Sequence, residues 1–381
     1  MDELFLTPEH LRFKEEVRAF AQKEIAPRAV ELDRAGPKSF PYELMRRLGE
    51  KGLLGITYPK EYGGLGRDFT SYVVAMEEVT LAYEALGPNC QGHLVGLLPI
   101  YLRGTKEQKE KYLRPGVKGE KLSAFALVEP QAGSDAASIQ SHIVKAESTY
   151  ILNGKKAFIS NAGAAEIYVV IARTKGTQRH QGVHAFIVEK GTPGFTIGNI
   201  DEYLGMYGHI TGELLFEDCR IPSDNLLGDE GDGFKIAMET LDRGRVGECA
   251  QALSIAQNSL QEAIRFARER EQFGKKIAEF QAIQFMLADM AMNIDAGRLL
   301  VYRAARLIDQ GKKATKEASM GKLFTSEVAM KCAIDAVEIL GARGLTKEYP
   351  VERYLRAAKI CSIVVGTSEI QRIVISRELL K

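Results

Sequence analysis

The chain has 381 residues, 45% hydrophobic and 27% charged, which is enough apolar material for two or three domains with sizeable cores. Its 51 Lys and Arg nearly cancel its 50 Asp and Glu, which argues against a broad field for holding nucleic acid or an anionic membrane. The five cysteines (Cys90, Cys219, Cys249, Cys332, Cys361) are scattered with no Cys-x-x-Cys pair, so buried thiols are expected rather than a disulfide framework, a redox pair or a metal site.

Met1 to Phe5 lacks the basic start and long apolar core of a leader, and no later run is apolar for the roughly 18 residues a membrane span needs. A cytoplasmic protein without a membrane span is the expectation. Thr7-Pro8-Glu9 offers a helix cap with proline at the first helical position, and Leu11, Val17, Phe20 and Ile25 follow at helical spacing up to Pro27. Pro41 opens a second helix that stops at Gly52. The proline and glycines of Tyr58 to Gly66 favour turns. Apolar helices are expected around 71–86 and 89–103, with a short one over Thr105 to Leu113.

Near Leu122 the period changes to that of strands. Leu122 to Val128, Tyr150 to Leu152, Lys156 to Ser160, Ile167 to Ala172, Val183 to Val188 and Glu213 to Phe216 are short β-branched or aromatic runs between Gly, Asn and Pro turns. They predict a small antiparallel β domain ending near Pro222. From Gly233 onward, long amphipathic segments around 233–270, 280–310, 314–340 and 350–380 predict four helices of an antiparallel bundle. The expected architecture is α+β, with an N-terminal helical domain (1–120), a β domain (121–225) and a C-terminal four-helix bundle (226–381).

Several short stretches suit a ligand, although each taken alone reads equally well as ordinary structure. Glu129 to Asp135 is a turn after a strand, where Gly133 allows close approach and Ser134 offers a hydroxyl. Lys156 to Asn161 sets Phe158 beside Ser160. Arg270 to Gly274 ends a helix with an arginine whose forked donors match a diphosphate.

Taken together with Phe216 to Pro222, Leu226 to Gly228, Gly231 to Phe234, Phe280-Gln281, Ile339 to Gly341 and Gly366-Thr367-Ser368-Glu369-Ile370-Gln371-Arg372, these stretches resemble the acyl-CoA dehydrogenase family over essentially the whole chain. The C-terminal two thirds is most like the short-chain (butyryl-CoA) branch. The resemblance implies FAD, an acyl-CoA thioester substrate, a homotetramer, and an electron-transferring flavoprotein as acceptor. It implies that Leu127, Val128, Gly133, Ser134, Phe158 and Ser160 surround the flavin ring. Arg270, Gln272 and Phe273, with Glu338 through Ala342, would reach the diphosphate and adenosine half across a subunit interface, and Thr367 and Glu369 would complete the site. Ser134, Asp242, Arg245, Gln91 and Gly366 are the implied substrate contacts.

The chain departs from the family where the chemistry is done. The usual base is a glutamate just before the Gly-Thr of the last signature, and Val365 stands there, preceded by Val364. The position used by a minority of members is Gly244. Neither can take a proton. Other departures are Val128 for a threonine, Phe158 for a tryptophan, Glu338 for a glutamine, and Tyr207 and His209 for an arginine and a serine. Candidate replacement bases are Glu248, four residues beyond Gly244 on the same helical face, and His93. The implied reaction is acyl-CoA desaturation by proton abstraction and hydride transfer, on an unusual acyl group that is alicyclic or already unsaturated, including vinylogous 1,4-dehydrogenation. The alternatives are leaving-group elimination of the desulfinase kind, or non-catalytic flavin and CoA binding.

Overall fold

The computed structural model describes residues 5–381; Met1 to Leu4, most of the stretch examined for a leader, lie outside the described residues. Thr7 caps α1 (Pro8–Glu24) by accepting from the His10 amide at 3.3 Å, while the His10 ring accepts from the Thr7 amide at 3.1 Å. Helices α2 (Ala29–Ala35) and α3 (Tyr42–Glu50) follow, then α4 (Phe69–Ala82) and α5 (Leu86–Arg103). Nearly every residue of α4 is buried, including Glu77 and Glu78. Its apolar run therefore makes it the central helix of this block rather than an amphipathic surface one. The segment expected to stop at Leu113 continues as short helical turns to Val117.

The β domain holds β1 (Ser123–Ala126), β2 (His142–Ala146), β3 (Thr149–Ser160), β4 (Ile167–Thr174), β5 (Val183–Glu189), β6 (Phe195–Ile200), β7 (Thr211–Pro222) and β8 (Leu226–Leu227). The spatial order is β6-β7-β3-β2-β4-β5-β8, with β1 also against β4. The expectation of an antiparallel sheet needs correction. β1 and β2 both pair with β4 in parallel, so the sheet is mixed. The two runs at Tyr150 to Leu152 and Lys156 to Ser160 are one long strand, β3, whose pairing with β7 shifts register between Lys156 and Ile159. Phe158 falls in that bulge with φ of 56°.

The C-terminal block comprises α6 (Gly233–Glu269), α7 (Gln281–Asp309), α8 (Thr315–Leu340), α9 (Val351–Cys361) and α10 (Ser368–Leu379). The fourth expected helix is therefore two. Val365 and Gly366 follow each other with positive φ, 54° and 95°, which no α-helix accommodates, and Thr367 then caps α10 through a bond from the Ile370 amide at 3.4 Å. The Gln371 amide fastens this break by donating to the Val365 and Gly366 carbonyls at 3.3 and 2.8 Å. All five cysteines are buried and unbridged, as their scatter suggested. Among the described residues, no helix is long and apolar enough to cross a membrane.

Candidate active site

The turn after β1 is held by a buried ion pair. Lys156 Nζ donates to Glu129 Oε1 at 2.7 Å and to the Leu127 carbonyl at 3.0 Å, while Glu129 also accepts from the Gln140 and Ser141 amides at 2.6 and 3.0 Å. Burial opposes the Glu129 charge, but Lys156 and these donors hold its carboxyl below the usual range. The clamp leaves Gly133 and Ser134 exposed at the turn tip, with nothing within 4 Å of a Cβ placed on Gly133. Sequence reading picked out the turn but not Lys156 as its anchor, because Lys155 beside it carries the same charge and only the fold decides which of the two is buried.

Beside this turn, the Phe158 bulge pushes its ring outward, 55% exposed, with Ser160 partly exposed two residues on. Leu127 is buried and Val128 half-buried, the latter's carbonyl accepting from the Ala157 amide at 3.0 Å. Together these residues set an exposed aromatic ring and a hydroxyl beside the exposed turn.

A second feature lies on the outside of the C-terminal block. The two-strand hairpin β9 (Glu271–Gln272) and β10 (Lys275–Lys276) raises Phe273 to 94% exposure. At its foot is a cleft of about 370 Å³ lined by Phe266, Glu269, Arg270, Glu271, Lys276, Arg343 and Tyr349. Lys276 is paired with Glu271 at 2.6 Å, which leaves the Arg270 and Arg343 guanidinium donors to suit an anionic group and the rings to suit a planar one. Arg343, Lys276 and Tyr349 were not singled out in sequence, because they converge only where the segment after α8 and the hairpin meet the end of α6. Gln272, Glu338 and Ala342 are exposed nearby in the chain, and Glu369 is exposed in the first turn of α10.

The third feature joins the N-terminal and C-terminal helical blocks. A Cβ placed on Gly244 would stand 3.2 Å from Val95 Cγ1, 3.5 Å from Val365 Cγ1 and 3.9 Å from Gln91 Nε2. Both positions that could carry the base thus converge on one spot, and both are apolar. On the next glycine of α6, a Cβ on Gly247 would lie 3.0 Å from Gln91 Oε1 and 3.1 Å from the Tyr72 hydroxyl. Two residues before Gly244, Asp242 accepts from Arg245 Nη1 at 2.5 Å and from the Thr315 hydroxyl, so this arginine is fixed and buried.

The acyl-CoA dehydrogenase N-terminal, middle and C-terminal domain families match residues 7–120, 124–219 and 231–380. The chain belongs to the acyl-CoA dehydrogenase family. An acyl-CoA dehydrogenase of Bacillus subtilis is 48% identical over 99% of both chains. The butyryl-CoA dehydrogenase of Megasphaera elsdenii superimposes with a TM-score of 0.96 at 43% identity, covering 99% of each chain. A chain from a structure of the electron transferring flavoprotein of Acidaminococcus fermentans gives 0.96 at 48% identity over the same shares. This acyl-CoA dehydrogenase is thus an FAD-dependent oxidoreductase acting on the CH–CH bond of an acyl-CoA, and the uncovered Phe158 and Phe273 rings and the arginine-lined cleft fit a dinucleotide.

The two candidate bases fare differently. His93 is corrected to a structural residue: it is fully buried, its Nε2–H donates to the Gly116 carbonyl at 3.0 Å, and its Nδ1 accepts from the Ser123 amide at 3.0 Å. Burial lowers its pKa to about 4, so it is neutral with both nitrogens occupied. Glu248 is buried on α6, and burial raises its pKa against the opposing pull of Lys322. The groups that face its carboxyl are Lys322 and the Cys361 thiol, so it lies one helical turn behind the Gly244–Val365 contact.

Proposed function

We propose that this acyl-CoA dehydrogenase desaturates an acyl-CoA whose acyl group does not require a carboxylate at the α-carbon, such as an alicyclic or already unsaturated thioester undergoing 1,4-dehydrogenation. The observation that carries the reading is the contact between Gly244 and Val365, which leaves the site without a carboxylate from both directions. Leu127, Val128, Gly133, Ser134, Phe158 and Ser160 would surround the flavin ring. Arg270, Gln272, Phe273, Glu338, Ala342, Thr367 and Glu369 would hold its nucleotide end. Ser134, Asp242, Arg245, Gln91 and Gly366 would take the thioester. FAD, when bound, accepts the hydride.

Proton removal then falls to a group reached from a carbon further along the acyl chain. Glu248 is the buried acid one turn from the vacated spot, with its pKa raised as a base in a closed site requires. Gln91 favours a second reading. Its Oε1 accepts from Gln251 Nε2, so its amide N–H groups are directed toward the Gly244 side, and they suit an anionic leaving group in an elimination.

Exposed Phe273, Phe285, Met292, Ile334 and Leu345 leave apolar surface on the C-terminal block, and a homotetramer in the cytoplasm that covers it belongs to this proposal. So does electron transfer to an electron-transferring flavoprotein, supported by the likeness to the chain from the Acidaminococcus fermentans structure. The deciding experiment adds a panel of acyl-CoAs anaerobically to the purified flavoprotein and follows loss of the visible flavin band. Bleaching by cyclic or enoyl thioesters with little by butyryl-CoA supports the reading. Binding without bleaching by any member would replace it with a non-catalytic flavin and CoA binder.

A further inference from the structure

Behind Ser160 stands a hydrogen-bonded column that the reaction above does not use. The side chain of Asn89, on α5, is completely buried and donates from Nδ2 to the Gly208 carbonyl at 2.8 Å. A carbonyl can only accept, so the amide cannot be turned over without setting two oxygens against each other. Asn89 Oδ1 is therefore the atom that faces His209 Nδ1, at 2.7 Å. That contact requires a proton on Nδ1.

A neutral imidazole with its proton on Nδ1 has an unprotonated Nε2, and Nε2 lies 3.4 Å from Ser160 Oγ. In that contact the Ser160 hydroxyl is the donor, pointing inward and leaving its oxygen lone pairs on the open side beside Phe158. Burial keeps the imidazole neutral by lowering its pKa to about 4. The turn that carries His209 has little freedom, since its amide donates to the Met206 carbonyl at 2.9 Å and the Tyr83 hydroxyl donates to the Tyr207 carbonyl. Ser160 is fixed from the other side by α5, where a Cβ on Gly92 would stand 2.9 Å from Ser160 Cβ.

We infer that Asn89 and His209 form a positioning relay that turns the Ser160 hydroxyl into an obligate acceptor toward the flavin edge, so that the site favours the cofactor's reduced, N–H-bearing state. This rests on the placement of Ser160 beside the flavin ring in the proposed function. Val128 adds weight, because a valine there supplies no competing hydroxyl.

The test is the flavin midpoint potential by spectroelectrochemistry, with the histidine tautomer read by ¹⁵N-histidine NMR on protein stripped of flavin. His209→Asn keeps the donor to Asn89 and loses the acceptor, whereas His209→Gln places an acceptor where Nε2 stood. His209→Asn and Ser160→Ala should each shift the potential in the negative direction, by similar amounts that do not add in the double variant. His209→Gln should return it toward wild type. A potential unmoved by His209→Asn, or additive shifts, would overturn the relay, as would a tautomer protonated on Nε2. A protein that takes up no FAD would overturn the proposed function instead, and the tautomer measurement would still decide the column.

Discussion

Val365 Cγ1 would stand 3.5 Å from a Cβ placed on Gly244, so the two places from which a base could enter the acyl site are a single contact. A carboxylate restored at either place would reach the same region, which makes position 365 the natural site for a gain of function. Val365→Glu is expected to raise butyryl-CoA dehydrogenation by roughly 10²-fold or more, the range a positioned general base contributes. Steady-state turnover with an artificial electron acceptor checks this. Equal rates in both proteins would show that butyryl-CoA does not adopt the usual pose.

Val365 is a β-branched residue at φ of 54°, a conformation that costs about 1–2 kcal/mol for an L side chain. Glycine there relieves the strain but adds freedom to the unfolded chain. Val365→Gly should therefore change stability by less than about 1 kcal/mol. Val169→Gly, in the fully buried strand β4, should cost about 3 kcal/mol or more. Paired urea melts would reveal the contrast, and an equal loss at both positions would remove the strain argument.

Glu248 and Lys322 are buried titratable groups with side-chain atoms that lack hydrogen-bond partners, Glu248 Oε1 and Lys322 Nζ, and each is the main opposite charge near the other. Removing one takes away the opposite charge that most favours the ionised form of the other. Glu248→Gln and Lys322→Met should each lower Tm, and the double variant should lose less than the two added together. If Glu248 is also the base, Glu248→Gln lowers kcat on the preferred substrate beyond what Lys322→Met does. Additive losses would show that the two groups do not interact.

The Glu129–Lys156 pair is buried at the root of the Gly133–Ser134 turn. Lys156→Met should destabilise the protein by about 3–5 kcal/mol and loosen the turn, so that flavin dissociates more readily. Fluorescence of released FAD during dilution, with a melt in parallel, separates the two effects. Unchanged release would mean that the turn keeps its shape without the pair.

His93 and His209 both have pKa values lowered to about 4 by burial, against 6.5 for a free imidazole. Between pH 6.5 and 4 the unfolded chain binds protons at both that the native state refuses, so stability is full above pH 6.5 and falls with pH through this window. The loss from pH 6.5 to 5 should be on the order of 1–2 kcal/mol per histidine. Denaturation at pH 7.5 and 5 measures it, and His93→Gln should flatten the slope. A wild-type stability constant across this range would contradict the assigned neutral states.

The helices of the two α blocks were legible because their apolar residues recur at helical spacing and their ends carry recognisable signals, such as Thr7-Pro8 and the glycine at 311. The sheet was less so. β2 and β6 are short and partly polar, and their pairing with β3 and β7, rather than their own composition, makes them strands. The break at Val365-Gly366 was hidden because valine gives no local warning of a positive φ; the Gln371 side chain that holds it comes from the next helix turn.

The sequence by itself determined the family, the order of the three blocks and the absence of a carboxylate at positions 244 and 365, since these depend on residue identity and spacing along the chain. Only the tertiary structure decided that those two positions are one spot. It also decided that His93 is a packed core histidine, and that Asn89, His209 and Ser160 form a column. The physical reason is the same in each case. Whether a polar side chain meets solvent, substrate or a satisfying partner is set by residues tens to more than a hundred positions away, brought within hydrogen-bonding distance only by the packing of α5 against both the sheet and α6.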